Sequence, residues 1–185
     1  WSRVNDMFVD TNGDLWLCMD GYIYCNKYGK KVALHSGLSL QDVEVYDKRY
    51  LLLFYNNGLL KCYDMKAGKK LYQSMAYGPQ DQKRYTRSCV LLQHEGCIFL
   101  IRNSDGSNGA LLLRFDVEKR RWAEILRSDF HLNNLVVHSG KLYIASEWGY
   151  FTYDLNSGEI AHQKVLTLTN GRQLETDVNT IVFDQ

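Results

Sequence analysis

The chain has 185 residues, of which 22 are basic and 21 acidic, for a formal net charge of +1. With 45% hydrophobic and 23% charged residues it belongs among folded globular chains long enough for one ordinary domain with a sizeable core. That charge balance argues against a nucleic-acid or anionic-membrane partner, and no apolar run approaches the roughly 20 residues that span a bilayer. The N-terminal stretch lacks the basic-plus-apolar pattern of a secretory signal.

In chain order, a strand at Asp6-Met7-Phe8-Val9 meets a turn at Thr11-Asn12-Gly13-Asp14. A second strand, Leu15-Trp16-Leu17-Cys18, leads through Gly21 into Tyr22-Ile23-Tyr24-Cys25, and Val32-Ala33-Leu34 closes the unit. The next unit runs Val43-Glu44-Val45-Tyr46, Tyr50-Leu51-Leu52-Leu53-Phe54, then Gly58 before Leu59-Leu60-Lys61-Cys62-Tyr63-Asp64, and Leu71-Tyr72-Gln73. A third holds Cys89-Val90-Leu91-Leu92, Cys97-Ile98-Phe99-Leu100-Ile101, Gly109 with Ala110 to Asp116, and Trp122 to Leu126. The fourth holds Leu135-Val136-Val137, Lys141-Leu142-Tyr143-Ile144-Ala145, Gly149 with Tyr150 to Asp154, and Ile160-Ala161-His162. Gly21, Gly58, Gly109 and Gly149 open the second half of each unit at spacings of 37, 51 and 40 residues, so the middle interval carries an insertion.

Four short strands joined by glycine-bearing turns, repeated at such intervals, are the pattern of propeller blades. No segment sustains a 3.6-residue apolar period, so almost no helix is expected. The fold class is therefore all-β: about four four-stranded antiparallel β-propeller blades, over 4–35, 43–73, 88–126 and 133–165. A further opening strand is expected from about 177, because Asp177-Val178-Asn179-Thr180-Ile181-Val182-Phe183-Asp184 repeats the logic of the first strand. The arrangement reads as an excerpt of a larger propeller; a minimal closed ring is the alternative. An open arc would expose apolar blade faces, so the expected partners are the remaining blades of a parent propeller or a second copy of the chain.

The five cysteines, Cys18, Cys25, Cys62, Cys89 and Cys97, sit in apolar strands with no Cys-x-x-Cys pair, and read as buried free thiols. That usage leans towards a reducing compartment. Asp10-Thr11-Asn12-Gly13-Asp14 has alternating oxygen side chains, but its glycine comes too early for a calcium loop and no bidentate Glu follows. A hairpin turn explains it better, and the same holds for the oxygen-rich stretch Asn103 to Asn108. His94 and His138 occupy equivalent turns. No metal, no cofactor and no catalytic arrangement is expected.

In a blade, the loops between second and third strands open on one face near the axis. Here they hold Asp20, Asn56 and Asn57, then Asn103, Asp105 and Asn108, then Glu147 and Trp148. Acids, amides and a tryptophan on rigid-scaffold loops suit a sugar, whose hydroxyls need hydrogen bonds and whose C–H faces need a ring. Trp16 and Trp122 lie in strand patterns and read as core.

Val4-x-x-Met7-x-x-Asp10-x-x-Gly13-x-Leu15-Trp16-Leu17 followed by Gly21 resembles the two-component regulator propeller repeat. Thr169-Asn170-Gly171 to Asp184 resembles the lead-in to another copy. Where the family places Gly-Thr after the tryptophan strand, this chain has Cys18-Met19-Asp20. The resemblance implies the periplasmic sensor region of a hybrid two-component histidine kinase, responding to glycan breakdown products and switching on genes for their use. It implies an oligosaccharide ligand and no enzyme activity in this segment. The cysteines sit uneasily with a periplasmic location, and a non-enzymatic propeller scaffold for protein–protein interaction is the alternative.

Overall fold

The structure is a computed structural model that describes residues 3–106 and 109–184. Blade 1 comprises β1 (Val4–Val9), β2 (Leu15–Met19), β3 (Tyr22–Cys25) and β4 (Lys30–Ala33), hydrogen-bonded in that order. Blade 2 comprises β5 (Leu40–Tyr46), β6 (Tyr50–Tyr55), β7 (Leu59–Asp64) and β8 (Lys69–Met75). After a short helix, α1 (Pro79–Arg84), blade 3 comprises β9 (Arg87–His94), β10 (Cys97–Asn103), β11 (Ala110–Asp116) and β12 (Arg121–Ser128). Blade 4 comprises β13 (Leu132–His138), β14 (Lys141–Ser146), β15 (Tyr150–Asp154) and β16 (Ile160–Gln163). Within blades 1, 2 and 4 consecutive strands pair antiparallel, each joined to the next by a short turn. The chain is all-β and its sheets are propeller blades.

The described chain forms two compact units. One holds residues up to 83 together with 91–99 and 114–123; the other holds 84–90, 100–113 and 124 onward.

In the first unit, side-chain alternation divides blade 1 into two unlike faces. Phe8 pairs with Trp16 and Cys18 with Ile23 on the face turned to the core. There Trp16, Ile23, Val43, Val45, Leu51 and Leu53 form one buried cluster. Each such side chain contributes about 1.5–3 kcal/mol of burial. The other face carries Met7, Val9 and Leu15, all exposed. Blade 2 differs, since Leu51 to Tyr55 are all buried and β6 is apolar on both faces. Phe54 meets Trp122 edge-on at 6.5 Å, and Trp122 in turn meets Phe115 at 4.8 Å.

Asp10 explains why the first turn is a hairpin. One carboxylate oxygen accepts the backbone N–H groups of Asn12 (2.9 Å) and Asp14 (3.0 Å), and the other accepts the Trp16 indole N–H at 2.9 Å. The third strand of blades 2, 3 and 4 ends on a comparable device. Asp64, Asp116 and Asp154 each accept the backbone N–H groups two and three residues on. That repetition fixes the turns into β8, β12 and β16.

In the second unit, Leu142, Ile144 and Phe151 bury the interior of blade 4. The tail departs from expectation. β17 (Val165–Thr167) and β18 (Gln173–Glu175) form a two-stranded hairpin, and residues 177–184 form no strand. The expected opening strand of a fifth blade is therefore absent. Individual contacts hold it. Asn133 donates to the Asp177 carboxylate and the Val178 carbonyl at 2.9 and 2.8 Å, the Val178 N–H bonds the Ser146 carbonyl, and Phe183 stacks on His138 at 3.9 Å.

Candidate functional site

The predicted loop residues divide between the two units, and most spend their side chains on the loops themselves. Asp20 is exposed at the β2–β3 turn with a φ of 52°. Asn56 exchanges bonds with Ser39, its N–H reaching the Ser39 carbonyl at 2.9 Å and its side-chain oxygen accepting the Ser39 N–H at 3.3 Å. Asn57 accepts the Leu59 N–H at 3.1 Å. Asn103 is buried and clamps Leu132 from both sides, donating to its carbonyl (2.9 Å) and accepting its N–H (3.0 Å). Asp105 pairs with Arg87 at 2.7 Å, with both side chains about two-thirds exposed, so the pair contributes at most about 1 kcal/mol. Asn108 lies outside the described residues.

Glu147 and Trp148 are different, because the structure brings them into one corner of the second unit. Glu147 accepts the His131 backbone N–H at 3.0 Å and lies 3.0 Å from the His131 Nδ1. Trp148 meets Phe130 edge-on at 5.2 Å, and Lys164 Nζ lies 4.6 Å over the indole ring. His162 places Nε2 at 2.6 Å from the Trp148 carbonyl oxygen, so that nitrogen carries the proton, and its ring stacks on Phe151 at 4.0 Å. Gly149 makes this corner possible. Its φ is 66°, and a Cβ there would overlap the Gln163 carbonyl oxygen.

The corner thus offers an aromatic surface flanked by a carboxylate, an imidazole and an ammonium group. Such a set can stack against a flat apolar face while hydrogen-bonding at its rim. Sequence reasoning missed Phe130, His131, His162 and Lys164. Strand parity could have found them: in a four-stranded meander the β14–β15 turn, the entry to β13 and the exit from β16 share one end of the sheet.

A cleft of about 290 Å³ lies wholly within the first unit, at its β5–β6 and β11–β12 turns. Its walls are Tyr46, Tyr50 and Tyr72, and Cys62, Leu71 and Val117 supply apolar surface. Asp47, Glu118 and Arg120 carry its charges. Tyr46 donates to Glu118 at 3.2 Å, and Tyr72 donates to the Val117 carbonyl at 3.2 Å. Burial pushes the hydroxyls of Tyr46 and Tyr72 above the usual phenol range, so both are neutral donors at pH 7. Arg120 lays its guanidinium 4.4 Å from the centre of the Tyr72 ring. It has a φ of 55° at the turn position filled by Gly68 and Gly158 in blades 2 and 4, where φ is 68° and 75°. For a residue with a Cβ that conformation costs roughly 1–2 kcal/mol. Among the described residues no group of three or more His, Cys, Asp or Glu side chains is placed to hold a metal ion.

No model of a known protein family matches the chain, and no curated protein matches it. Solved structures do. A chain of the mitotic checkpoint complex is 15% identical with a TM-score of 0.58, the match covering 85% of this chain and 48% of that one. The WD40 domain of Toxoplasma gondii coronin is 16% identical with a TM-score of 0.55, over 86% of this chain and 44% of that one. The computationally designed Ika8 protein is 11% identical with a TM-score of 0.59, over 93% of this chain and 50% of that one. The chain spans about half the length of these structures. At such identities the likeness concerns the fold, and that fold is the β-propeller.

Proposed function

We propose that this chain is a ligand-recognising segment of a sensor propeller, and that the ligand is an oligosaccharide held at the Trp148 corner. The observation that carries the reading is the meeting of Trp148 with Glu147, His131 and Lys164 on one loop cluster. Sugar recognition needs a ring for the C–H face and charged or amide groups for the hydroxyls, and rigid-scaffold loops are its usual carriers. The resemblance of the Val4 to Gly21 repeat to the two-component regulator propeller adds the biological setting. It points to a periplasmic sensor that passes ligand binding to a histidine kinase and transcription, with the segment itself recognising rather than catalysing. Among the described residues no helix is long and apolar enough to cross a membrane.

A second reading, a scaffold that binds other proteins, is favoured by the five free cysteines, which suit a reducing compartment. Calorimetric titration with a panel of plant and host oligosaccharides separates the two. Saturable binding lost in Trp148→Ala supports the sensor. The sensor reading fails if no saccharide binds, or if the variant binds like the parent.

A further inference from the structure

We infer that the cleft at Arg120 binds a free α-amino acid with a large apolar side chain, a second ligand site independent of the saccharide reading. Three observations converge on it.

The first is the backbone at Arg120. Blades 2 and 4 place glycine at this point of the turn, whereas blade 3 holds an arginine in the same left-handed conformation. Strain of that kind persists where surrounding structure imposes it and concentrates at ligand-binding sites. What it achieves here is position, since the guanidinium is held 4.4 Å from the centre of the Tyr72 ring at the wall of the cleft.

The second is what Arg120 leaves unused. Among the described residues its guanidinium makes no hydrogen bond and no ion pair. Its contact with the Tyr72 ring is a cation–π contact that uses none of its N–H donors, and a guanidinium with free donors can grip a carboxylate through two parallel bonds.

The third is the balance of charge around it. Asp47, held at a φ of 53° in the β5–β6 turn, also has no hydrogen bond or ion pair among the described residues. Glu118 accepts only the Tyr46 hydroxyl through its carboxylate. The cleft therefore presents one cation and two carboxylates over an apolar lining of Cys62, Leu71 and Val117. A simple anion would meet two like charges, and a simple cation would meet Arg120. A molecule carrying both charges satisfies each side: its carboxylate takes Arg120, its ammonium takes Asp47 and Glu118, and its body lies among the tyrosine rings. A volume of about 290 Å³ admits one such molecule and excludes an oligosaccharide chain.

L-Phenylalanine is the probe, with phenethylamine and 3-phenylpropanoate as analogues that each keep one of its two charges. The measurement is calorimetric titration of the whole chain. Saturable phenylalanine binding is expected at millimolar concentration, with each analogue weaker on the order of tenfold or more. Arg120→Gly restores the glycine of blades 2 and 4, so its thermal midpoint should equal or exceed that of the parent while phenylalanine binding falls on the order of 10- to 100-fold. Asp47→Asn, which keeps a residue suited to that turn, should weaken phenylalanine and leave 3-phenylpropanoate unchanged. The inference is overturned if phenylalanine does not bind, if either analogue binds as tightly, or if Arg120→Gly binds like the parent. Saccharide binding should be unaffected by Arg120→Gly, so failure at one site leaves the other standing.

Discussion

Thr11 donates its hydroxyl to Glu44 at 2.6 Å while accepting the backbone N–H of Gln93 at 3.0 Å, which ties the first turn of blade 1 to the buried carboxylate of β5. Burial raises Glu44 from 4.5 to about 7, against the opposing pull of the Thr11 bonds, and burial raises Asp42 from 3.8 to about 6. Both carboxyls hold their protons more tightly folded than unfolded. Their favourable contribution is complete below the unfolded values and is lost as pH rises through about 6 and 7. Asp64, Asp116 and Asp154 act oppositely. Hydrogen bonds from Arg49 lower Asp64, and backbone N–H groups lower the other two, so their contribution is lost in acid. Glu44→Gln should raise stability at pH 8 by about 3 kcal/mol and flatten the loss between pH 5 and 7, since one pKa unit is about 1.4 kcal/mol. Urea midpoints across that pH range would show it, and an unchanged slope would contradict it.

Replacing either of two turn glycines should be severe. At Gly109 and Gly149 a Cβ would overlap the carbonyl oxygens of Ser128 and Gln163, and φ is 78° and 66°. Gly149→Ala should lose more than about 2 kcal/mol, the left-handed strain alone contributing about 1–2. Gly171→Ala, with φ of 79° but open space around it, should lose only the strain. Equal thermal midpoints for the two variants would refute the close-approach explanation.

Much of this architecture was legible in the sequence. The glycine spacing located the blades because those positions need a positive φ, and β6 forms on the apolar run Tyr50 to Phe54 that reads as a strand. Asp177 to Asp184 repeats the pattern of the first strand without forming one, because a residue pattern does not by itself supply the hydrogen-bonded partner a strand needs. The site was half legible. Asn103 and Asn57 look like binding amides, but a turn consumes amides equally well, and composition cannot tell the two uses apart. Arg120 went unnoticed because its significance lies in a backbone angle at a position the other blades fill with glycine.

The thiols should be present as free groups of very different accessibility. Cys18, Cys25 and Cys62 are buried, Cys89 and Cys97 half-buried, and burial with the nearby Asp6 charge raises Cys18 to about 11. Alkylation of the native protein without reductant should label Cys89 and Cys97 slowly and spare the other three, because the thiolate is the reactive form. Mass spectrometry finding a disulfide, or rapid labelling of Cys18, would count against this burial pattern.

Met7, Val9 and Leu15 expose 62%, 64% and 49% of their surface on one face of blade 1. Apolar faces of this kind find partners, and a second copy of the chain is the expected one in isolation. Light scattering at micromolar concentration should detect self-association that Met7→Lys with Val9→Lys abolishes. A monomeric parent protein would contradict the prediction.

Hydrogen–deuterium exchange in the presence of a bound oligosaccharide asks most directly whether recognition happens at the Trp148 corner. Slowed exchange is expected at Glu147 to Gly149 and at Phe130 to Leu132, with residues 46–50 and 117–120 unchanged. Protection confined to those latter turns, or no protection at the corner under saturating ligand, would contradict the assignment.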